Sequence, residues 1–157
     1  MLQRRSANRL SGWISYSLGY TNDHDAAENL WFVSDYDQRH TLNAFGTYRI
    51  TDSLNVSAKY RFGSNFPVAG FYRASTGTSF ALAQQRNQAR LAAYNKVDLR
   101  VDKAVYTQRR KVTFFGELQN AFNLRNRSCP KLALLEYSPS CEDGLPVLPS
   151  VGLQVEF

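Results

Sequence analysis

Long apolar runs are missing from this sequence. Its longest strictly apolar stretches, such as Leu30 to Val33 and Leu132 to Leu135, hold four residues each. A membrane-spanning helix needs roughly 20 predominantly apolar residues, so no transmembrane helix is expected. Nor does any N-terminal stretch join a basic end to an apolar core of about 7–15 residues, so no signal peptide is expected. Cysteine is scarce. Cys129 and Cys141 alone rule out a disulfide-framework miniprotein and fall short of a four-ligand zinc site. With two histidines and no Gly-x-Ser-x-Gly, no hydrolase constellation assembles, and neither a catalytic residue nor a cofactor is expected. The chain is basic, with 19 Lys plus Arg against 13 Asp plus Glu and a net charge of +6. These cations are scattered singly or in short groups such as Arg109-Arg110-Lys111, without the basic block and interleaved aromatics of a nucleic-acid binder.

What is present is aromatic residues (9 Tyr, 10 Phe and 2 Trp) and alternation at period two. From Leu54 to Phe62, the residues Leu54, Val56, Ala58, Tyr60 and Phe62 share one face, opposite Asn55, Ser57, Lys59 and Arg61. That is a strand with one apolar and one polar face. Leu42, Ala44, Gly46, Tyr48 and Ile50 likewise oppose Thr41, Asn43, Phe45, Thr47 and Arg49, and the short polar turn Thr51-Asp52-Ser53 makes the two a hairpin. Segments 10–20, 96–103, 111–119 and 150–157 fit the same template, with Trp13 and Phe115 as exceptions on the polar parity. Residues 1–9 read as the end of an earlier strand plus a short turn.

Connections alternate between long (21–39, 64–94, 123–149) and short (51–53, 104–110), so all long loops leave one end of the sheet. Structureless loops of this length are uncommon in compact soluble domains. The expected fold is all-β: an antiparallel up-and-down meander of about six strands forming an open segment of a transmembrane β-barrel wall, in a single region 1–157. In such a wall the apolar parity meets lipid and the polar parity faces the lumen. Two other architectures share the alternation. One is a soluble sheet packed on a partner sheet. The other is a small closed barrel with two more strands hidden in 64–94, acting in adhesion or membrane integrity.

Several segments resemble the C-terminal barrel of TonB-dependent outer-membrane receptors. They are Gly12-Trp13-Ile14-Ser15-Tyr16, Asp37-Gln38-Arg39-His40, Tyr60-Arg61-Phe62-Gly63-Ser64, Tyr94 through Val101, and Glu117-Leu118-Gln119-Asn120-Ala121-Phe122-Asn123. The last strand, Ser150 through Phe157, is similar to the terminal assembly signal of outer-membrane barrels, with Ser150, Gly152, Val155 and Phe157 in the signal positions. The resemblance implies an outer-membrane location and a receptor importing a scarce nutrient such as a siderophore, cobalamin or an oligosaccharide. It also implies lipid and the barrel-assembly machinery as partners, and the plug and TonB system through an intact parent. Barrels of this kind have roughly 22 strands, so the chain is expected to be a C-terminal fragment.

Other residues stand out locally. Cys129 and Cys141, in the third long loop, are expected to form a disulfide, as an oxidising exterior permits. Trp31, Phe32 and Tyr36 in the first long loop suit either a ligand-capturing rim or anchors at headgroup level. Asp23-His24-Asp25 with Glu28 reads as a solvated acidic loop or a cation site, with the first favoured. Lys59, Arg61, Asp98, Arg100, Asp102 and Glu117 on the polar parity suit cross-strand pairing or contact with an anionic ligand or plug. His40 shares the apolar parity, a poor place for a catalytic base. If the terminal strand is an assembly signal, Phe157→Asp will impair membrane assembly. Quantifying the variant in outer-membrane fractions tests this, and unchanged insertion would count against the signal.

Overall fold

Period-two alternation becomes a sheet. The structure, a computed structural model, describes residues 1–75, 80–129 and 141–157. In chain order its strands are β1 (Leu2–Ala7), β2 (Leu10–Leu18), β3 (Asn22–Asp25), β4 (Leu30–Val33), β5 (His40–Thr51), β6 (Leu54–Gly63), β7 (Tyr72–Ala74), β8 (Phe80–Leu82), β9 (Tyr94–Tyr106), β10 (Lys111–Gln119), β11 (Arg127–Ser128), β12 (Glu142–Asp143) and β13 (Leu148–Glu156). Seven of them hydrogen-bond in the order β1-β2-β5-β6-β9-β10-β13, an antiparallel meander that does not close. The chain is all-β, and no helix among the described residues is long and apolar enough to cross a membrane.

The register carries each parity across the sheet. On the apolar face Ile14 stands opposite Ala44, Ala44 opposite Tyr60, and Tyr60 opposite Val97. Val101 then faces Gly116, Phe114 faces Leu153, and Val112 faces Val155. On the polar face Ser57, Arg100, Glu117 and Ser150 form one row. The charges there largely pair: Lys96 with Asp98 at 3.3 Å, Arg100 with Asp102 at 2.8 Å and Glu117 at 3.6 Å, and Lys111 with Glu156 at 3.0 Å.

Both parity exceptions have local partners. Trp13 lies directly opposite Phe45. The Phe115 ring lies over Gly152 and leaves no room there for a Cβ, while the Arg100 guanidinium sits 4.2 Å from the ring centroid. An aromatic laid over a strand glycine shields its backbone and fixes register.

The sheet is not where the buried core lies. Ile14, Tyr16, Leu18, Tyr48, Leu99, Val101, Phe114, Val151 and Leu153 on the apolar face are all exposed. Val68, Tyr72 and Ala89, by contrast, are buried in the second long loop, with Leu91 and Cys129 packed against them. The long loops therefore form a packed cap at one end of the sheet.

The open antiparallel meander is the one the sequence leads one to expect, and two details are added to it. Among the described residues the wall has seven strands, the segment read as the end of an earlier strand supplying β1, which pairs with β2 through a tight turn at Asn8-Arg9, both at positive φ. Each long connection also carries a two-stranded ribbon: β3-β4, β7-β8 and β11-β12. Such ribbons, two to four residues per strand, are too short to show alternation. The β7-β8 ribbon is a separate sheet and adds no strand to the wall. The Leu132 to Leu135 run lies outside the described residues.

Asn87 shows how the cap is held. It adopts φ +64°, and its Nδ2 donates to the Val33 carbonyl and to Asp35 Oδ1, each at 2.7 Å. Its Oδ1 accepts the Gly70 N–H at 3.1 Å. Asn87→Ala removes these bonds and places a Cβ residue without them in the left-handed region, weakening the cap by about 2–4 kcal/mol. Asn87→Gly, which relieves only the backbone, will fall between the two. Limited proteolysis within 64–93 reports the loss, while amide exchange in β5 and β6 stays at the parent rate.

Candidate functional site

The features able to recognise another molecule gather at the long-loop end. Their hub is Asp37, between β4 and β5, which is buried. Its Oδ1 accepts the Thr21 N–H at 3.0 Å, and Oδ2 accepts Arg39 Nε at 3.2 Å. Arg90, from the far side of the second loop, also donates to Oδ2 and reaches the Asp37 carbonyl through Nη1 at 2.6 Å. Burial opposes ionisation of Asp37. The Thr21 amide and the Arg90 and Arg39 guanidiniums outweigh it and hold the carboxyl below its ordinary value.

Three buried asparagines at positive φ join the loops. Asn87 ties the second loop to the first, as above. Asn65 Nδ2 donates to the Ala92 carbonyl at 2.9 Å and the Arg127 carbonyl at 3.3 Å, tying the second loop to the third. Asn120 Nδ2 donates to the Leu124 and Leu145 carbonyls at 3.1 and 3.0 Å, closing the third loop on itself. Asparagine suits these places because it tolerates left-handed backbone and carries both a donor and an acceptor. Cys129 and Cys141 are joined by a disulfide, with Cα atoms 4.1 Å apart. It tethers the end of the third loop to the Val68–Tyr72–Ala89 core, against which Cys129 packs.

The three loop aromatics line two separate recesses. Trp31 and Phe32, on β4, line a groove of about 520 Å³ together with Arg39, Arg86 and Arg90. Trp31 is exposed and lies 4.6 Å from the His24 ring, while the Arg86 guanidinium sits 5.4 Å above Phe32. Tyr36 instead borders a separate recess of about 200 Å³ with Phe66, Pro67, Leu91 and Cys129.

The acidic run in β3 serves its own turn. Asp25 Oδ1 accepts the Ala27 and Glu28 N–H groups at 2.9 and 3.4 Å, and His24 Nε2 is 3.1 Å from Asn29 Oδ1. Among the described residues no group of three or more His, Cys, Asp or Glu is placed to hold a metal ion. His40 stands opposite Leu18 with Nδ1 2.8 Å from the Tyr16 hydroxyl.

At the sheet's edge, the residues of the terminal strand divide by parity. Ser150 opposes Glu117 and Gly152 opposes Phe115 on the polar face, while Val155 opposes Val112 on the apolar face. Phe157, one residue past β13, is 90% exposed, with the Arg110 guanidinium 4.8 Å from its ring centroid. Its side is therefore open to whatever surrounds the sheet.

Sequence reading missed the Asp37–Arg90 pair, the Arg86–Asp35 pair at 3.2 Å, and the asparagine links. The partners of both ion pairs lie more than 50 residues apart, and no local pattern joins them. The only available signal was the isolated asparagines within otherwise irregular segments. Comparisons of the chain with protein-family models, with curated proteins and with solved structures find no match.

Because Asp37 is held below its ordinary value of 3.8, it adds stability to the cap above about pH 4. That contribution is lost as pH falls through its folded value, when the protonated carboxyl releases Arg90 and Arg39. Peptic cleavage of the loops followed between about pH 5 and 2 will rise over this window. Asp37→Asn will make cleavage fast at the upper end and flatten the rise. A parent-like profile in Asp37→Asn would remove Asp37 as the hub.

Proposed function

We propose that this chain is a wall segment of an outer-membrane, TonB-dependent receptor, and that uptake of a scarce nutrient belongs to the intact protein. The observation that carries the reading is the uncovered apolar face. Seven strands present Val, Leu, Ile and aromatic side chains on one side, and no second sheet lies on it among the described residues. Leaving each such side chain in water forgoes roughly 1.5–3 kcal/mol of burial. Hydrocarbon is a solvent in which that face is satisfied, whereas a soluble sandwich needs a covering layer. The dimensions agree. Nine residues of β2 span about 30 Å, which at a tilt of about 40° rises about 23 Å, close to the apolar band of such barrels.

The opposite face, with its ion-pair rows, suits a water-filled lumen or a plug. The edges of β1 and β13 have backbone groups outside the ladder, which hydrocarbon does not tolerate. Further strands of a larger barrel are the partners these edges require. In this reading Ser150, Gly152, Val155 and Phe157 are read by the barrel-assembly machinery, and the packed loops face the exterior. Tyr16, Tyr48 and Phe157 lie at headgroup depth in contact with lipid.

Two measurements test the proposal together. The chain will co-sediment with outer membranes and leave them in detergent rather than in alkaline carbonate. The coding sequence upstream of Met1 will continue in frame through further alternating strands and a plug. A nearby upstream stop codon in an intact frame would remove the receptor, and release by carbonate would remove the barrel.

A further inference from the structure

The groove beside β4 has a composition that selects its occupant. Resting on the receptor reading, we propose that it binds a small anion bearing a flat ring, of the aryl carboxylate class. One wall is aromatic, with Trp31 exposed and Phe32 beside it. The lining also holds the guanidiniums of Arg39, Arg86 and Arg90, with Arg86 over the Phe32 ring, and their donors are not fully used. Arg39 donates through Nε alone to Asp37, leaving both terminal nitrogens without an acceptor among the described residues. Arg86 donates through Nη2 alone to Asp35, and its Nε is buried with no partner. Three arginines thus meet two carboxylates, an excess of one positive charge.

A carboxylate is what a guanidinium fork binds in two-point fashion, and a ring is what an exposed indole stacks on. A space of about 520 Å³ suits a ligand of this size. The frame around the groove is hydrogen-bonded without any ligand. Arg90 holds Asp37 from beneath, and Asn87 holds Asp35 and the Val33 carbonyl. A site preorganised in this way loses little affinity to ordering.

The test uses the full chain in detergent with Trp13→Phe, so that Trp31 is the only tryptophan emitter. Titration with 1-naphthoate will change Trp31 emission saturably. The neutral 1-naphthamide will need about tenfold more, as loss of a charge-assisted pair implies. Micelle uptake works the other way, because the amide partitions at least as well as the acid. Arg39→Gln leaves Asp37 held by Arg90 and Thr21, and Arg86→Gln leaves Asp35 held by Asn87. Each will weaken naphthoate about tenfold, whereas Arg109→Gln, at the opposite end of the sheet, will not. Equal responses to acid and amide, or unchanged binding in both groove variants, would overturn the proposal. So would inorganic phosphate competing as well as naphthoate, since the ring would then contribute nothing. Binding by a chain that fractionates away from outer membranes would keep the groove and sink the receptor. An outer-membrane chain blind to naphthoate would do the reverse.

Discussion

Everything in this chain hangs on an unbroken antiparallel ladder. Because side chains alternate strictly along a strand, fixing the hydrogen-bond register of one pair fixes which residues of every later strand share its face. Register shifts occur only at the margins, between Arg4 and Ala7 and between Arg49 and Thr51. Between them the rows run straight from β2 to β13. A slip of one residue in β6 would turn Val56, Ala58 and Tyr60 toward Asp98 and Arg100, and expose Lys59 and Arg61 to the apolar side. Among the described residues no second sheet covers it to defend it against such a slip. The pairs within it do: Trp13 opposite Phe45, Phe115 over Gly152, and Arg100 between Asp102 and Glu117.

The cap follows a different logic. A sheet with an uncovered apolar face has no core of its own in water, so burial cannot hold the loops down onto it. They hold one another instead. A small apolar cluster around Val68 supplies some packing, and the remainder is polar: Asp37 with Arg90, Asn87 with Asp35, Asn65 with the Arg127 carbonyl. Polar bonds of this kind specify geometry more than they add net stability.

How much of this was legible differs between the two parts. The wall was readable because each strand repeats its signal many times over. Leu54 to Phe62 alternates through nine residues, and its polar face matches the observed register. The cap was not, because its elements are too short to repeat anything and its bonds join distant residues. Trp31, Phe32 and Tyr36 lie within six positions of each other, yet the chain turns after Val33 and sends Tyr36 to a different recess. Asp37-Gln38-Arg39-His40 stood out by resemblance, but nothing in those four residues discloses that Arg90 completes them.

The charge distribution links the two parts. Toward the short turns Arg100 has two carboxylates and Lys111 has Glu156, while Arg49 opposes Asn55 with no ion pair among the described residues. Toward the loops two cations stand directly opposite one another. Arg61 stands opposite Lys96, and its only close partner among the described residues is the Tyr94 ring, 5.5 Å away. Lys96 leans to Asp98 at 3.3 Å. Above them Arg39, Arg86 and Arg90 share Asp35 and Asp37. Like charges set side by side on a sheet destabilise it, so this arrangement is not explained by the stability of the isolated chain. It is explained if an anion or an acidic surface passes that end of the polar face. The field of such a cluster would draw the anion toward the groove before any contact is made.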